Sequence, residues 1–123
     1  MATTTSRTLH TLRDLDGFIA SALVDSTSGM MFESMTTGSF DIEAASAANT
    51  QVVQAKLKAM KAVGLANENI EDILISLNSQ YHLIRPLSIN REVFIYIAID
   101  RRHGNLAMAR MELKKLDATI KKI

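Results

Sequence analysis

The sequence contains no cysteine and no tryptophan, and it has only one proline and five glycines. Without cysteine, disulfides, thiolate-bound zinc and a cysteine nucleophile are all excluded. Aromatic residues make up 5% of the chain, too few for a surface that stacks nucleic-acid bases. The isolated glycines form neither a Walker loop nor a dinucleotide-binding fingerprint. These absences argue against an enzyme that acts on a nucleotide.

The charge is nearly balanced, with 14 Lys and Arg against 13 Asp and Glu, and a net charge of +1. Such a balance gives no long-range attraction to nucleic acid or to an anionic membrane. The first ten residues, MATTTSRTLH, lack the apolar core of a signal peptide, and no apolar run reaches the roughly 18 residues of a membrane span. We therefore expect a cytoplasmic protein, with one domain over residues 1–123, that binds neither nucleic acid nor membrane.

Side chains that could carry catalysis are scattered. The three histidines, His10, His82 and His103, do not have the i, i+4 spacing of a helical metal site. Glu71 and Asp72 are adjacent, so in a strand they point to opposite faces and cannot act as a pair. There is no GxSxG nucleophile motif. We expect no catalytic residue, no metal, no cofactor and no small-molecule substrate, and hence no enzyme.

The hydrophobic pattern predicts a helix, a β-hairpin, a long helix, three strands and a last helix. The predicted elements are a helix over 6–16 with Ser6 as its N-cap, hairpin strands 17–25 and 30–35, a helix over 41–65 capped by Asp41, strands 70–77, 80–87 and 92–99, and a helix over 105–122. The strand over 92–99 is apolar on both alternating sides, so both of its faces must be covered. We expect an α+β fold with a five-stranded antiparallel sheet and helices on both faces.

The long helix has an apolar arc of about half its circumference, wider than one sheet contact needs. We expect Ser46 and Thr50 to lie on its polar, solvent-facing arc. Within the apolar arc runs an alanine stripe, which consists of Ala44, Ala48, Ala55, Ala59 and Ala62. Small side chains allow another helix to approach closely, and the same helix of a second copy is the commonest partner. The alternative is that the alanines fit a tight sheet contact or only favour helix.

Two polar residues, Asn49 and Lys56, lie seven residues apart inside that apolar arc, beside Val52. At the margin of an interface, a lysine stem can cover apolar surface while its head reaches a carboxylate or water. A polar group in a self-association interface can also fix the register. We therefore assign Asn49, Val52 and Lys56 to the interface, with the alternative that Lys56 only extends past the helix edge.

Met108, Arg110 and Met111 lie off the main apolar stripe of the last helix. Flexible methionines suit an adaptable contact, so these residues are candidates for binding a partner. The alternative is that they cover the edge of the sheet, since single exposed apolar groups are normal.

Four stretches together resemble a Roadblock-type domain over about residues 9 to 120. They are DGFIASALVDSTSGMMFES, NTQVVQAKLKAMKAVGL, IEDILISLNSQYHLIRPL and VFIYIAIDRRHGNLAMARMEL. The resemblance implies a profilin-like fold with the long helix on one face of the sheet and both terminal helices on the other. It also implies a homodimer that pairs the long helices and joins the third strands, with Ile73 and Ile75 at the interface. Members of this family commonly bind Ras-like small GTPases.

The function that the resemblance implies is a non-catalytic homodimeric platform that binds and regulates a Ras-like small GTPase in polarity, motility or signalling. A second hypothesis is a structural adaptor, similar to the Roadblock light chains of dynein, that does not regulate a GTPase. A third is a small-molecule sensor on a profilin-like sheet, and an enzyme comes last.

Overall fold

The computed structural model describes residues 9–123, which form one antiparallel sheet of five strands in the order β2-β1-β5-β4-β3. The strands are β1 (Phe18–Asp25), β2 (Met31–Thr36), β3 (Ile73–Ser76), β4 (Gln80–Pro86) and β5 (Val93–Asp100). The helices are a short 3-10 helix (His10–Asp14), α1 (Ile42–Ala62) and α2 (Leu106–Thr119). The predicted α+β fold is confirmed.

The central strand β5 is covered on both faces, as its two-sided apolar pattern predicts. Its partners are β1, where Ser21 lies opposite Ile97, and β4, where Leu83 lies opposite the same residue. One face of the sheet packs on the two terminal helices, and its core contains Leu12, Ile97 and Leu113. The other face packs on α1. The predicted division of the helices between the two faces is therefore confirmed.

Within the described residues, the amino-terminal helix ends earlier than the predicted residue 16. Leu9 is helical, and the 3-10 helix over His10–Asp14 follows it and buries Leu12. The predicted N-cap, Ser6, lies outside the described residues. Strand β3 is also shorter than the predicted 70–77, which leaves the chain between α1 and Ile73 as a connecting segment.

Helix α1 begins where the sequence predicts and ends slightly earlier. The carboxylate of Asp41 accepts a hydrogen bond of 3.0 Å from the backbone N–H of Ala44, so the predicted N-cap is confirmed. The helix ends at Ala62, and Gly64 follows with a φ of +83°, a conformation that strains residues with a side chain. No helix within residues 9–123 combines the length and apolar character needed to cross a membrane.

Candidate interaction surface

Helix α1 contacts the sheet along a line that is more polar than the sequence predicts. The buried residues are Ile42, Ser46, Asn49, Thr50, Val53 and Met60. The prediction that Ser46 and Thr50 face solvent is therefore wrong. Both hydroxyls are small enough to lie under the helix, and Thr50 donates a hydrogen bond of 3.0 Å to the carbonyl of Ser46. The Ser46 hydroxyl is buried and has no hydrogen-bond partner among the described residues.

Asn49 is buried against the sheet, where its side chain lies close enough to the Tyr96 hydroxyl to lower the pKa of that group. This position corrects the prediction that Asn49 lies on an exposed interface beside Lys56. The Tyr96 hydroxyl lies 3.3 Å from Nδ1 of His82, and Nε2 of His82 lies 2.7 Å from Oε1 of Gln80. The Gln80 oxygen can only accept, so Nε2 carries the proton and Nδ1 accepts from Tyr96. The four side chains form a polar chain from α1 through β5 to β4.

This polar chain is held in its uncharged form. Burial lowers the pKa of His82, because an imidazolium would be poorly solvated there. Burial raises the pKa of Tyr96 to about 12, although the neighbouring Asn49 side chain by itself would lower it. Phe40 packs edge-on against His82, with ring centroids 6.4 Å apart, and shields it further from water.

The alanine stripe, in contrast, faces away from the sheet. All five of its members are exposed, and Val52 beside them is only partly buried. The alternative that these alanines fit a tight sheet contact is therefore wrong. Lys56 is also exposed, and it makes no ion pair within residues 9–123. The stripe is a smooth, uncharged surface that nothing in this part of the chain covers.

A groove of about 480 Å³ separates α1 from the edge of the sheet. Val52, Lys56 and Met60 form its helical wall, and Ile73 and Ile75 form its floor. Both isoleucines are only partly buried, because α1 does not extend over β3. The connecting segment adds carboxylates, those of Glu68, Glu71 and Asp72. Strand β3 pairs only with β4, so its outer backbone groups have no strand partner among residues 9–123. Of the predicted interface residues, Val52, Lys56, Ile73 and Ile75 therefore line one groove. The alanine stripe lies outside this lining, and Asn49 is buried.

The three candidate partner-binding residues on α2 have different environments. Met108 and Met111 are 43% and 49% exposed, so about half of each side chain remains accessible. Arg110 instead donates from both Nε and Nη2 to one oxygen of Asp72, each at 2.9 Å. It therefore fixes α2 to the segment before β3.

A buried ionic cluster on the α2 side is absent from the sequence-based prediction. Asp117, which is 3% exposed, accepts from Nε of Arg85 at 3.0 Å and from the backbone N–H and hydroxyl of Ser88 at 2.9 and 2.8 Å. Burial tends to raise the pKa of Asp117, but the bonds from Ser88 and Arg85 outweigh it and hold the pKa below its usual value. Its position four residues after the buried Leu113 is the signal that could have revealed it. The cluster is structural, because it joins α2 to the end of β4.

Among residues 9–123, no group of three or more histidine, aspartate or glutamate side chains is arranged to hold a metal ion. No family model and no curated protein sequence matches the chain.

Solved structures, however, show the same architecture. MglB of Myxococcus xanthus superposes with a TM-score of 0.71 at 17% identity, over 92% of this chain and 85% of that one. A Roadblock/LC7 domain from Streptomyces avermitilis gives a TM-score of 0.76 at 9% identity, over 93% and 92%. The gliding protein MglB of Thermus thermophilus gives 0.74 at 12% identity, over 94% and 82%. The chain therefore has a Roadblock-type fold.

Proposed function

We propose that this chain is a non-catalytic, cytoplasmic homodimer that serves as a platform for a Ras-like small GTPase and regulates it in polarity, motility or signalling. The observation that carries the proposal is the alanine stripe, exposed beside the uncovered floor of the groove. Two copies can bury both features together, and the paired sheets then form one extended surface for a third protein.

The dimer is supported by the chemistry of the two exposed features. Small side chains let the α1 helices of two copies approach closely. The outer edge of β3 can pair with the same strand of the second copy, which satisfies its open backbone groups. Both contacts use one patch on each copy, as a two-fold dimer requires. Lys56 would lie at the margin of this contact, near the carboxylates of the connecting segment.

The GTPase partner is supported by the fold and by the Roadblock resemblance of the sequence. One structural neighbour is named as a gliding protein, which fits a role in motility. A regulator must bind the GTP and GDP states with different affinities, since equal affinity shifts no equilibrium. The third phosphate orders the switch loops of such GTPases, so their surface differs between the two states.

The arginines favour regulation without a supplied catalytic group. Four of them donate hydrogen bonds within the chain: Arg85 to Asp117, Arg91 to the carbonyl of Ile70, Arg101 to that of Leu77, and Arg110 to Asp72. Arg101 also stacks over Tyr81, with its guanidinium 5.0 Å from the ring centroid. Each would have to leave its partner before it could stabilise a transition state on a GTPase. We therefore expect any stimulation of hydrolysis to come from repositioning the GTPase's own groups, and the exposed Arg13 and Arg102 are the arginines that could contradict this.

The test is affinity for purified Ras-like GTPases from the same organism, each loaded with GDP or with a non-hydrolysable GTP analogue. We expect one of them to bind at least about tenfold more tightly in the GTP-analogue state, which is roughly 1.4 kcal/mol. Ala55→Glu, placed in the alanine stripe, should weaken this binding if the platform requires the dimer. Arg102→Ala serves as the control for a supplied arginine, because the Arg102 side chain is exposed.

Equal affinity for the two nucleotide states would leave the structural adaptor as the better function. Loss of stimulated hydrolysis in Arg102→Ala at saturating protein, with affinity unchanged, would contradict regulation by repositioning and indicate an arginine finger.

A further inference from the structure

The outer edge of β2 is the second open edge of the sheet, at the opposite end from β3. The backbone N–H of Thr37 donates to the carbonyl of Ile19 at 2.8 Å, and the pairing of β2 with β1 continues from there in regular register. Hydrogen bonds alternate along an antiparallel pair, so the backbone groups of Met35 face β1. Those of Ser34 and Thr36 face outward, and β2 has no other strand partner within the described part of the chain. A row of open N–H and C=O groups therefore lies along this edge.

The side chains along this edge leave it open to another strand. Edge strands are commonly protected by lysine or proline, and β2 contains neither. Glu33 and Met35 point to one face, where Met35 packs on the core beneath the terminal helices. Ser34 and Thr36 therefore point to the α1 side, and both are exposed and uncharged. At the start of the edge, Phe32 lies where the register with β1 shifts, and it is 43% exposed. The edge thus offers backbone groups with an apolar ring beside them.

The part of the chain that forms this edge is acidic throughout. Residues 14–55 contain six Asp and Glu but no Lys, Arg or His, although the whole chain has a net charge of +1. The cations on either side of this stretch lie elsewhere. Arg13 belongs to the 3-10 helix on the other face of the sheet, and Lys56 lines the groove beside β3. Arg91, between β4 and β5, donates to the carbonyl of Ile70 on the β3 side. The edge of β2 therefore favours a basic ligand.

Two of these carboxylates lie on the α1 side of the edge. Asp41 and Glu43 begin α1, and both are exposed. From there α1 runs back along β2, since Ala47 packs beside Gly29, just before the strand starts. The first turns of α1 therefore lie beside the space that a strand added to β2 would occupy on this side.

We propose that the outer edge of β2 binds an extended basic segment of a partner protein, which pairs antiparallel with β2 as a sixth strand and places alternate Lys or Arg side chains beside Asp41 and Glu43. Backbone hydrogen bonds hold such a segment in place, and its alternate side chains give specificity. The side chains between the basic ones lie on the other face, beside Met35, and are best apolar. The site does not depend on the α1 dimer, because β2 and β3 are opposite edges of the sheet.

The experiment titrates the full chain into a labelled synthetic peptide of about seven residues, in which lysine alternates with valine, and follows fluorescence anisotropy. We expect saturable binding that weakens as salt rises, because salt screens exposed charges. A peptide with glutamate in place of lysine should bind at least about tenfold more weakly. Two further peptides carry N-methyl groups on every lysine or on every valine. Alternate N–H groups of a strand point to opposite edges, so one of these two peptides should lose binding and the other should keep it.

Variants of the chain locate the site. Ser34→Pro removes an outward N–H and leaves the bonds of β2 to β1 in place, so it should abolish binding of the lysine peptide. Glu43→Lys should weaken binding of the lysine peptide and strengthen that of the glutamate peptide. Glu68→Lys makes the same change of charge beside β3 and should leave both affinities unchanged. Bound peptide should also slow the hydrogen exchange of the Ser34 and Thr36 amides.

Equal binding of the two N-methylated peptides would overturn the proposal, because it would show attraction by charge alone. Unchanged affinity of a folded Ser34→Pro variant would overturn it too and would indicate pairing at β3. The absence of saturable binding of the lysine peptide at millimolar concentration would also contradict it. Should Ser34→Pro fail to fold, the N-methylated peptides on the wild type decide the question. The lysine peptide should bind whether the wild type is a dimer or a monomer, so failure of the α1 dimer and failure of this site are distinguishable.

Discussion

His82 is the residue whose environment has the clearest consequence in solution. It lies under α1, where Tyr96 donates to its Nδ1 and Phe40 packs on its ring. None of these contacts brings a carboxylate to His82. Asn49 of α1 acts on Tyr96, and Ile75 of β3 lies opposite His82 in the sheet. Protonation would therefore place a charge in a half-buried position with no carboxylate beside it, and it would add a proton where Tyr96 donates.

Because of this, the stability of the fold should depend on the protonation of His82. The folded state holds the pKa of His82 below its ordinary value of 6.5, so the unfolded chain binds more protons as pH falls. The free energy of unfolding should then decrease as pH falls below about 6.5 and through the lowered folded pKa. The free energy of unfolding can be measured at each pH by chemical denaturation of the wild type and of His82→Asn. Asparagine keeps a polar atom near Tyr96. His82→Asn should lose the decrease in that pH range.

A pH dependence that is the same in the wild type and in His82→Asn would contradict this role. His103 makes a suitable second comparison, because it is exposed and bonded to Asp100 at 3.2 Å. His103→Asn should keep the decrease in stability below pH 6.5.

Single residues also show where sequence patterns fail. Asn49 and Lys56 are indistinguishable by helical spacing, yet one is buried on Tyr96 and the other is exposed. The choice depends on whether the sheet offers a hydrogen-bond partner beneath each position, and a sequence does not show that. Ser46 is likewise buried with its hydroxyl unbonded among the described residues, against the usual rule for buried polar groups. Polarity alone was a poor guide to which way these side chains point.

At the scale of elements, α2 is attached to the sheet by charge as well as by apolar contact. Asp117 receives bonds from Arg85 and Ser88, both located at the end of β4 or just beyond it. Removing the carboxylate would leave the largely buried guanidinium of Arg85 without its closest partner, since Glu71 is 4.0 Å from it.

We expect Asp117→Ala to lower the free energy of unfolding by about 3 kcal/mol, the cost typical of breaking a buried ion pair. Denaturant titration measures this change. Glu112→Ala is the matched control, because Glu112 is on the same helix and pairs with the exposed Lys115. Its loss should cost less than about 1 kcal/mol. Equal losses in the two variants would show that the buried cluster does not stabilise the fold.

The elements themselves were largely predictable. The two-sided apolar pattern of β5 predicted a strand covered on both faces, and Asp41 marked the start of α1, because both features act locally. The length of β3 was not predicted, since the strand was expected from residue 70, whereas pairing with β4 starts only at Ile73, opposite Ile84. The length of a strand depends on its pairing with another part of the chain, and a local sequence pattern carries no information about that pairing. The Arg85–Asp117 pair was missed for the same reason, as its members are far apart in sequence.

At the scale of the whole molecule, helices cover the two faces of the sheet to different extents. The α2 face has a well-buried core beneath the terminal helices. The α1 face leaves Ile73 and Ile75 partly exposed, and the alanine stripe on the outer side of α1 is exposed as well. This asymmetry is the physical basis for a dimer through α1 and β3, which in turn supports the proposed platform.

The most direct test of the dimer is the mass of the chain in solution by light scattering at low micromolar concentration. We predict twice 13.6 kDa for the wild type. Ala55→Glu should give a monomer or insoluble protein, because it would bury an unpaired charge between two helices. Ala107→Glu makes the same substitution at an exposed position on α2 and should remain a dimer. A wild type that is a monodisperse monomer, or an Ala55→Glu variant that stays a soluble dimer, would contradict the account.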